Sequence, residues 1–426
     1  MDNPSTVIAQ VIDALDRLAP SGPIGIALSG GGDSTALALL ASLWAQRSLH
    51  VASVDHQLRP ESRIEAEAAR DTARRLGLPH EILTWVQDGT ESGNLSARAR
   101  DARHRLLGDW AERKRLSAVL LGHTMDDQAE TVLLRLQRGS GVDGLSGMAE
   151  RVEIGGTLWL RPLLGITRAA LREVLRAHGV TWIEDPTNDD PSYDRVKLRQ
   201  AMEALGLTPA GLAETARRLT RQREVLERDR DRLAVEAAQI GRCGEIVFAL
   251  DMLEAAAEDS RLALIADALG WLGRRIYRPR FRALEALWRR RSNQTLSGCQ
   301  ILWSADHLTI CREPGAAADP QPLSDRTPWD RHWHIQGPDT GNLMVGALGA
   351  AGLAQLRSSG EARAKWPPCP RPAKLSAPAV WSGGRVVAAP LFPGLLPHDA
   401  ASEVGESAFS AHLTRIPARF SRCTRL

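Results

Sequence analysis

Three polar segments each begin where an apolar run ends and a helix-like pattern starts, and this arrangement constrains the fold more than any other feature of the chain. Ser29-Gly30-Gly31-Gly32-Asp33-Ser34 follows the apolar run Ile24 to Leu28 and leads into a helical pattern from Thr35 to Ala45. Asp55-His56-Gln57-Leu58-Arg59-Pro60-Glu61-Ser62 follows a strand-like Val51 to Val54, and Pro60 suits the first turn of a helix. Gly122-His123-Thr124-Met125-Asp126-Asp127-Gln128-Ala129-Glu130-Thr131 follows Ala118 to Leu121 and enters a helix from Asp126 to Arg138. With a further strand at Ile82 to Val86 and a helix over 94–116, the alternation predicts an α/β fold, a doubly wound parallel sheet with helices on both faces. Ligands of such sheets bind beyond the carboxyl ends of the strands, so all three polar segments are expected at one site.

Each segment carries its own chemistry. Consecutive glycines at 30–32 let the backbone take up positive φ and approach a ligand closely. Their N–H groups and the helix N-terminus form a nest for an anion, to which Ser29 and Ser34 add hydroxyl donors. Asp33 would repel a phosphate unless a metal or an amine intervenes, which points to a nucleotide pyrophosphate with Mg²⁺. No GxxxxGK[ST] occurs, so this is not the kinase-type phosphate loop. In the third segment Asp126 and Glu130 are i,i+4 neighbours and Asp127 and Glu130 are i,i+3 neighbours. The dipole of a helix N-terminus favours such acids, yet they repel one another without a cation. Mg²⁺ and a cationic amino group both fit; a merely solvated acidic first turn is the bland reading.

The pattern changes after about residue 200. Thr208-Pro209 is a helix start, and a long charged helix follows through Gln239. Residues 250–313 suggest two more helices and a strand pair turning near Ser304 to Asp306, and 314–328 hold four prolines with little periodicity. The run 271–291, WLGRRIYRPRFRALEALWRRR, contains eight arginines against one acid. Its arginines, among them Arg274 and Arg275, favour a phosphate backbone, while its aromatics are better read as core. Only four of the 54 basic residues are lysines, a bias that genome composition also explains.

Composition bounds the remaining classes. At 43% apolar and 25% charged residues the chain is neither wholly disordered nor fibrous. No uninterrupted apolar run reaches the roughly 18 residues of a membrane span, and the N-terminus lacks a secretory pattern. A cytoplasmic protein is expected, without a membrane partner. Its five cysteines form no CxxC pair and none precedes Cys243, which argues against zinc ribbons, iron–sulfur clusters and a disulfide framework.

SGGxDS after an apolar strand resembles the PP-loop ATP pyrophosphatases, and the other motifs resemble the tRNA(Ile)-lysidine synthases within that group. DHQLRPES and GHTMDDQAET stand in family order before Arg161-Pro162-Leu163-Leu164 and Glu184-Asp185-Pro186-Thr187-Asn188. The resemblance covers most of residues 20–200. It implies a ligase that adenylates the wobble cytidine of tRNA(Ile) bearing a CAU anticodon and then joins free L-lysine to C2. The products are lysidine, AMP and pyrophosphate; codon reading changes from AUG to AUA and identity from Met to Ile. ATP and Mg²⁺ are the implied cofactors. Asp33, Asp127 and Glu130 are the implied catalytic residues, the last two also holding lysine. Ser29, Gly30, Gly31, Gly32, Asp33, Ser34, Asp55, His56, Gly122 and His123 are expected at ATP, and Asp33 and Asp126 at the metal. Arg103, Arg135, Arg195, Arg274 and Arg275 are candidates for phosphate or tRNA, each equally readable as a surface arginine. The expected organisation is a catalytic domain at 1–205, a connecting helix at 206–240, a mainly helical middle tRNA-binding domain at 241–318, a linker at 319–330 and a small α+β tRNA-recognition domain at 331–426. A homodimer is left open.

Three positions depart from the family pattern: Thr124 replaces a second His, His104 a Tyr and Val196 an Asn. Other readings are a tRNA-thiolating PP-loop enzyme, which needs cysteines near the site; an ATP-dependent amide synthase, which would lack the arginine-rich segment; and a non-enzymatic RNA-binding module, against which the acidic cluster argues.

Overall fold

Alternating side chains of the first strand face two different helix layers, and this places the polar loops. The computed structural model describes residues 3–44, 47–58, 62–86, 95–184, 194–274, 278–324, 327–338, 342–358, 366, 368–392, 409–413, 416–417 and 419–420. The chain forms two compact units, Met1–Glu224 and Val225–Leu426.

Unit 1 contains α1 (Pro4–Leu18), β1 (Ile24–Ala27), α2 (Gly32–Leu43), β2 (Leu49–Asp55), α3 (Ser62–Arg75), β3 (His80–Thr84), α4 (Leu95–Arg113), β4 (Ala118–Leu120), α5 (Met125–Gln137), α6 (Val142–Leu145), β5 (Arg151–Ile154), β6 (Thr157–Leu160), α7 (Arg168–Ala177) and α8 (Asp194–Ala204). Its sheet runs β3-β2-β1-β4-β6-β5. Ile24 pairs with Leu49 on one side and Ala118 on the other, both in parallel. The edge strand β5 departs from the expected all-parallel sheet; it pairs antiparallel with β6 across a two-residue turn at Gly155-Gly156. Both glycines have positive φ, as so short a hairpin requires.

Ile24 and Ile26 point into a core shared with Val7, Val11 and Leu15 of α1, Leu37 and Leu40 of α2, and Leu171, Val174 and Leu175 of α7. Each such side chain, fully buried, contributes about 1.5–3 kcal/mol. Gly25 faces the other layer, where a Cβ would come within 2.7 Å of the Trp110 ring of α4. Trp110 packs there with Leu107, Val119 and Trp159. From β1 the chain builds outward through β2 to β3, then crosses to β4 on the opposite side. The loops after β1 and β4 therefore lie side by side at the topological switch point.

The helix α9 (Pro209–Ala237) contains the boundary between the units. Unit 2 continues with β7 (Ala238–Ile240), β8 (Ile246–Ala249), α10 (Leu250–Ala255), α11 (Glu258–Gly273), α12 (Phe281–Arg290), β9 (Gln294–Leu296), β10 (Cys299–Trp303), β11 (His307–Arg312), β12 (Gln321–Pro322), β13 (Trp333–Gln336), β14 (Met344–Ala347), α13 (Gly349–Ser358), α14 (Arg371–Ser376), β15 (Pro378–Ser382), β16 (Arg385–Ala388) and β17 (Ser410–Leu413). An antiparallel sheet β7-β8-β11-β10-β9 backs onto α11, whose Leu262, Ile265 and Leu269 are buried. The described part of 319–330 differs from a bare linker: Gln321–Pro322 joins the sheet β12-β14-β15-β16, and Trp329 and Asp330 are buried. Three prolines conceal this in the sequence because the segment is held by two large or charged side chains and not by periodicity. Cys243 and Cys311 share a buried cluster with Trp329, Trp333 and Leu348, so one core spans both sides of that segment.

Candidate active site

The loop from β1 to α2 is shaped by its own hydroxyls. Ser34 Oγ donates to the Gly31 carbonyl at 3.0 Å and accepts from the Ser29 N–H at 3.2 Å. Ser34 thus braces the loop it was expected to extend toward ATP. Gly30 has φ +86°, and a Cβ there would press on Ile183 at 2.8 Å. Gly31 is the N-cap of α2 and provides no side-chain cap, so the first-turn N–H groups of α2 are left for an anion. Gly122 backs onto the same turn: a Cβ would lie 3.0 Å from Ser34 Cα and 3.1 Å from Ser34 N.

The end of β2 is tied inward. Asp55 is buried; its Oδ1 accepts from the Gln57 N–H at 3.0 Å and from Ser62 Oγ at 2.7 Å. It folds the turn that presents His56. Burial and then the nearby Arg103 guanidinium lower His56 to about 4, so its Nε2 stays an acceptor, 3.1 Å from Arg103 Nη2. His123 is fixed likewise: Arg161 Nε lies 3.3 Å from its Nδ1, and Arg161 Nη1 donates to the Ala149 carbonyl at 2.8 Å. Burial lowers Arg161 to about 10.

Thr124 caps α5 reciprocally with Asp127. Asp127 Oδ2 accepts from the Thr124 N–H at 2.8 Å and from its hydroxyl at 2.9 Å. The replacement of the family's His by Thr at 124 therefore supplies a cap. Asp127 Oδ1 faces the other way and receives Arg168 Nη2 at 2.5 Å.

Arg168 organises the centre. Its Nε donates to Asp33 Oδ2 at 3.1 Å, its Nη1 to Glu130 Oε1 at 3.0 Å, and its backbone N–H to Asp126 Oδ2 at 2.9 Å. Arg199 Nε of α8 also reaches Glu130 Oε1, at 2.9 Å. Burial works against the charge of Arg168, but Asp127, Glu130 and Asp33 outweigh it and hold its pKa above the usual arginine value. Burial raises Asp33, opposed by Arg168; for Asp127 burial is outweighed by Arg168 and the Thr124 hydrogen bonds, and its pKa falls. Asp33, Asp126, Asp127 and Glu130 thus converge as the sequence predicts, around a guanidinium that it does not. One signal was available: a cation in the first turn of a helix opposes the dipole and calls for nearby anions.

Asp33 and Asp126 each keep one carboxylate oxygen outside their bonds to Arg168. That fits Mg²⁺ held by one or two carboxylates and completed by phosphate oxygens. It does not fit an all-protein cage, since among the described residues no three metal-binding side chains are placed to hold one ion together.

The candidate arginines separate. Arg103 remains beside His56. Arg135 Nη1 donates to the Gly144 and Gly147 carbonyls at 2.8 and 2.7 Å and so holds the 138–147 loop. Arg274 is engaged by buried Asp330. The Arg195 side chain, Arg275, Arg59–Glu61 and Asp185–Asn188 lie outside the described residues.

Residues 4–205 match the PP-loop domain family. The chain is 42% identical over 409 residues to tRNA(Ile)-lysidine synthase of Ruegeria pomeroyi, covering 92% of this chain and 94% of that relative. It is 37% identical to the enzyme of the same name from Rhodopseudomonas palustris, over 70% of this chain and 92% of that one. It is 33% identical to that of Wolbachia pipientis wMel, over 73% and 76%.

Proposed function

The chain belongs to the tRNA(Ile)-lysidine synthase family, and from that premise we propose how its residues divide the family's reaction. The enzyme is an ATP-using ligase of tRNA modification that converts the wobble cytidine of tRNA(Ile) to lysidine. The observation that carries the division of roles is the meeting of the 29–34 loop with Asp127 and Glu130 at the switch point.

ATP lies with its phosphates on the N–H groups of the 29–34 loop and the first turn of α2. His56 and His123, each held in a fixed orientation by an arginine, flank the nucleotide. The C2 oxygen of the cytidine, splayed from a CAU anticodon loop, attacks the α-phosphorus; the oxygen–phosphorus bond forms as pyrophosphate leaves. The ε-amino group of lysine, oriented by Asp127 and Glu130, attacks C2, loses a proton and expels AMP with the former C2 oxygen. Asp33 and Asp126 would hold Mg²⁺, which supplies charge neutralisation for the phosphates.

No helix among the described residues is long and apolar enough to cross a membrane, and the reading places the reaction in the cytoplasm. Pyrophosphate release from ATP and Mg²⁺ tests it. Release that requires both lysine and tRNA(Ile) with a CAU anticodon, and not tRNA(Met), is the expected result. Asp33→Ala and Glu130→Ala should remove that release, by about 100-fold or more, while tRNA binding persists. Release indifferent to lysine, or binding and turnover lost together, would overturn the assignment of roles.

A further inference from the structure

Arg168 spans both halves of the proposed site. Its Nε end meets Asp33, in the first turn of the helix that opens onto the phosphate loop. Its Nη groups meet Asp127 and Glu130, the pair assigned to lysine. The titratable groups of this cluster come from several elements: Asp33 from α2, Asp126, Asp127 and Glu130 from α5, and Arg199 from α8, with His123 of the β4–α5 loop acting on Asp127. Two consequences follow from charge alone. A lysine ammonium on Asp127 and Glu130 would sit within a few ångströms of the guanidinium already bound there, and in a partly buried site like charges repel strongly. A polyphosphate on residues 29–34 would offer that same guanidinium a stronger, bidentate partner on its Asp33 side.

We propose that Arg168 is a positioning residue that couples the two substrates, competing with lysine for Asp127 and Glu130 until the phosphates of ATP draw its guanidinium toward the loop. The inference rests on the lysine reading of Asp127 and Glu130. ATP thereby raises the affinity for lysine, and by linkage lysine raises the affinity for ATP by the same factor. The order protects the chemistry: the amine is bound tightly only when the nucleotide that activates its target is in place. It also explains why an arginine is held at the N-terminus of α7 against the helix dipole.

The test is calorimetric titration of L-lysine into the full-length protein with Mg²⁺, with and without α,β-methylene-ATP. For the unaltered protein the analogue should tighten lysine binding by about tenfold. For Arg168→Gln, lysine should bind without the analogue as tightly as the unaltered protein binds it with the analogue, and the analogue should change little. Arg168→Lys keeps a cation but cannot bridge Asp33 to Glu130, so it too should lose most of the dependence; it serves if the Gln variant fails to fold. A merely structural role would weaken both ligands and leave the dependence in place. Retention of the full analogue dependence in either variant would overturn the proposal, as would loss of lysine binding in Arg168→Gln. Glu130→Gln, titrated in parallel, separates the premise: if it binds lysine like the unaltered protein, the lysine reading fails whatever Arg168 does.

Discussion

Unit 1 sets two guanidinium groups among four carboxylates, and unit 2 sets one carboxylate between two guanidinium groups. In unit 1 Arg168 bridges Asp33, Asp127 and Glu130, and acid is in excess of the cation that joins it. In unit 2 Asp330 is 4% exposed; its Oδ2 accepts from Arg312 Nε at 2.9 Å, and Oδ1 accepts from Arg274 and from the Ala318 N–H. The first arrangement has carboxylate capacity to exchange with an incoming cation. The second is tied into the backbone: Arg312 also reaches the Gly298 and Ala316 carbonyls. Equal ingredients therefore give a reactive cluster in one place and a structural staple in the other. The stoichiometry and the burial of the minority partner decide which.

Removing the minority charge of unit 2 should have the largest effect on stability. Asp330→Asn leaves Arg274 and Arg312 facing each other in a buried setting and should cost unit 2 about 3 kcal/mol. Hydrogen exchange across 225–426 would read the loss, with binding of α,β-methylene-ATP unchanged. Exchange protection like that of the unaltered protein would erase the distinction drawn between the two clusters.

A smaller change sharpens the geometry of unit 1. Gly122→Ala places a Cβ against the backbone of Ser34 and must displace the first turn of α2 by a few tenths of an ångström. Lysine-dependent pyrophosphate release should fall by about tenfold, with an increase in KM for ATP. A change confined to the KM for lysine would mean that the displaced turn serves the amine and not the nucleotide.

The smallest effect concerns acid. Burial lowers His56 in unit 1 and His332 in unit 2 to about 4, from near 6.5 in the unfolded chain. Each is held neutral when folded, so its contribution to stability is complete above pH 6.5 and is lost as the pH falls through 4. His332→Gln should flatten the pH dependence of unit 2 between pH 6.5 and 4, and His56→Gln that of unit 1. Denaturant unfolding at several pH values in that window is the measurement; parallel curves for variant and parent would assign the acid sensitivity to other groups.

Much of the site was legible because local rules and function coincide there. Consecutive glycines at 30–32 stand where a backbone must approach, and Asp126, Asp127 and Glu130 share the first turns of one helix. These are short-range facts, and the sequence alone determined them, together with the strand–helix alternation that makes a switch-point site unavoidable. Which side chains reach ligand and which hold the scaffold was not local. Arg168 lies 135 residues from Asp33 in the chain, and no spacing rule links them. Ser34, Asp55, Arg135 and Arg274 read as ligand contacts in the sequence, and the fold gives each a protein partner that no spacing predicts. The reason is physical: a hydrogen-bonding group is available only after its competitors are counted, and those competitors arrive through the tertiary fold.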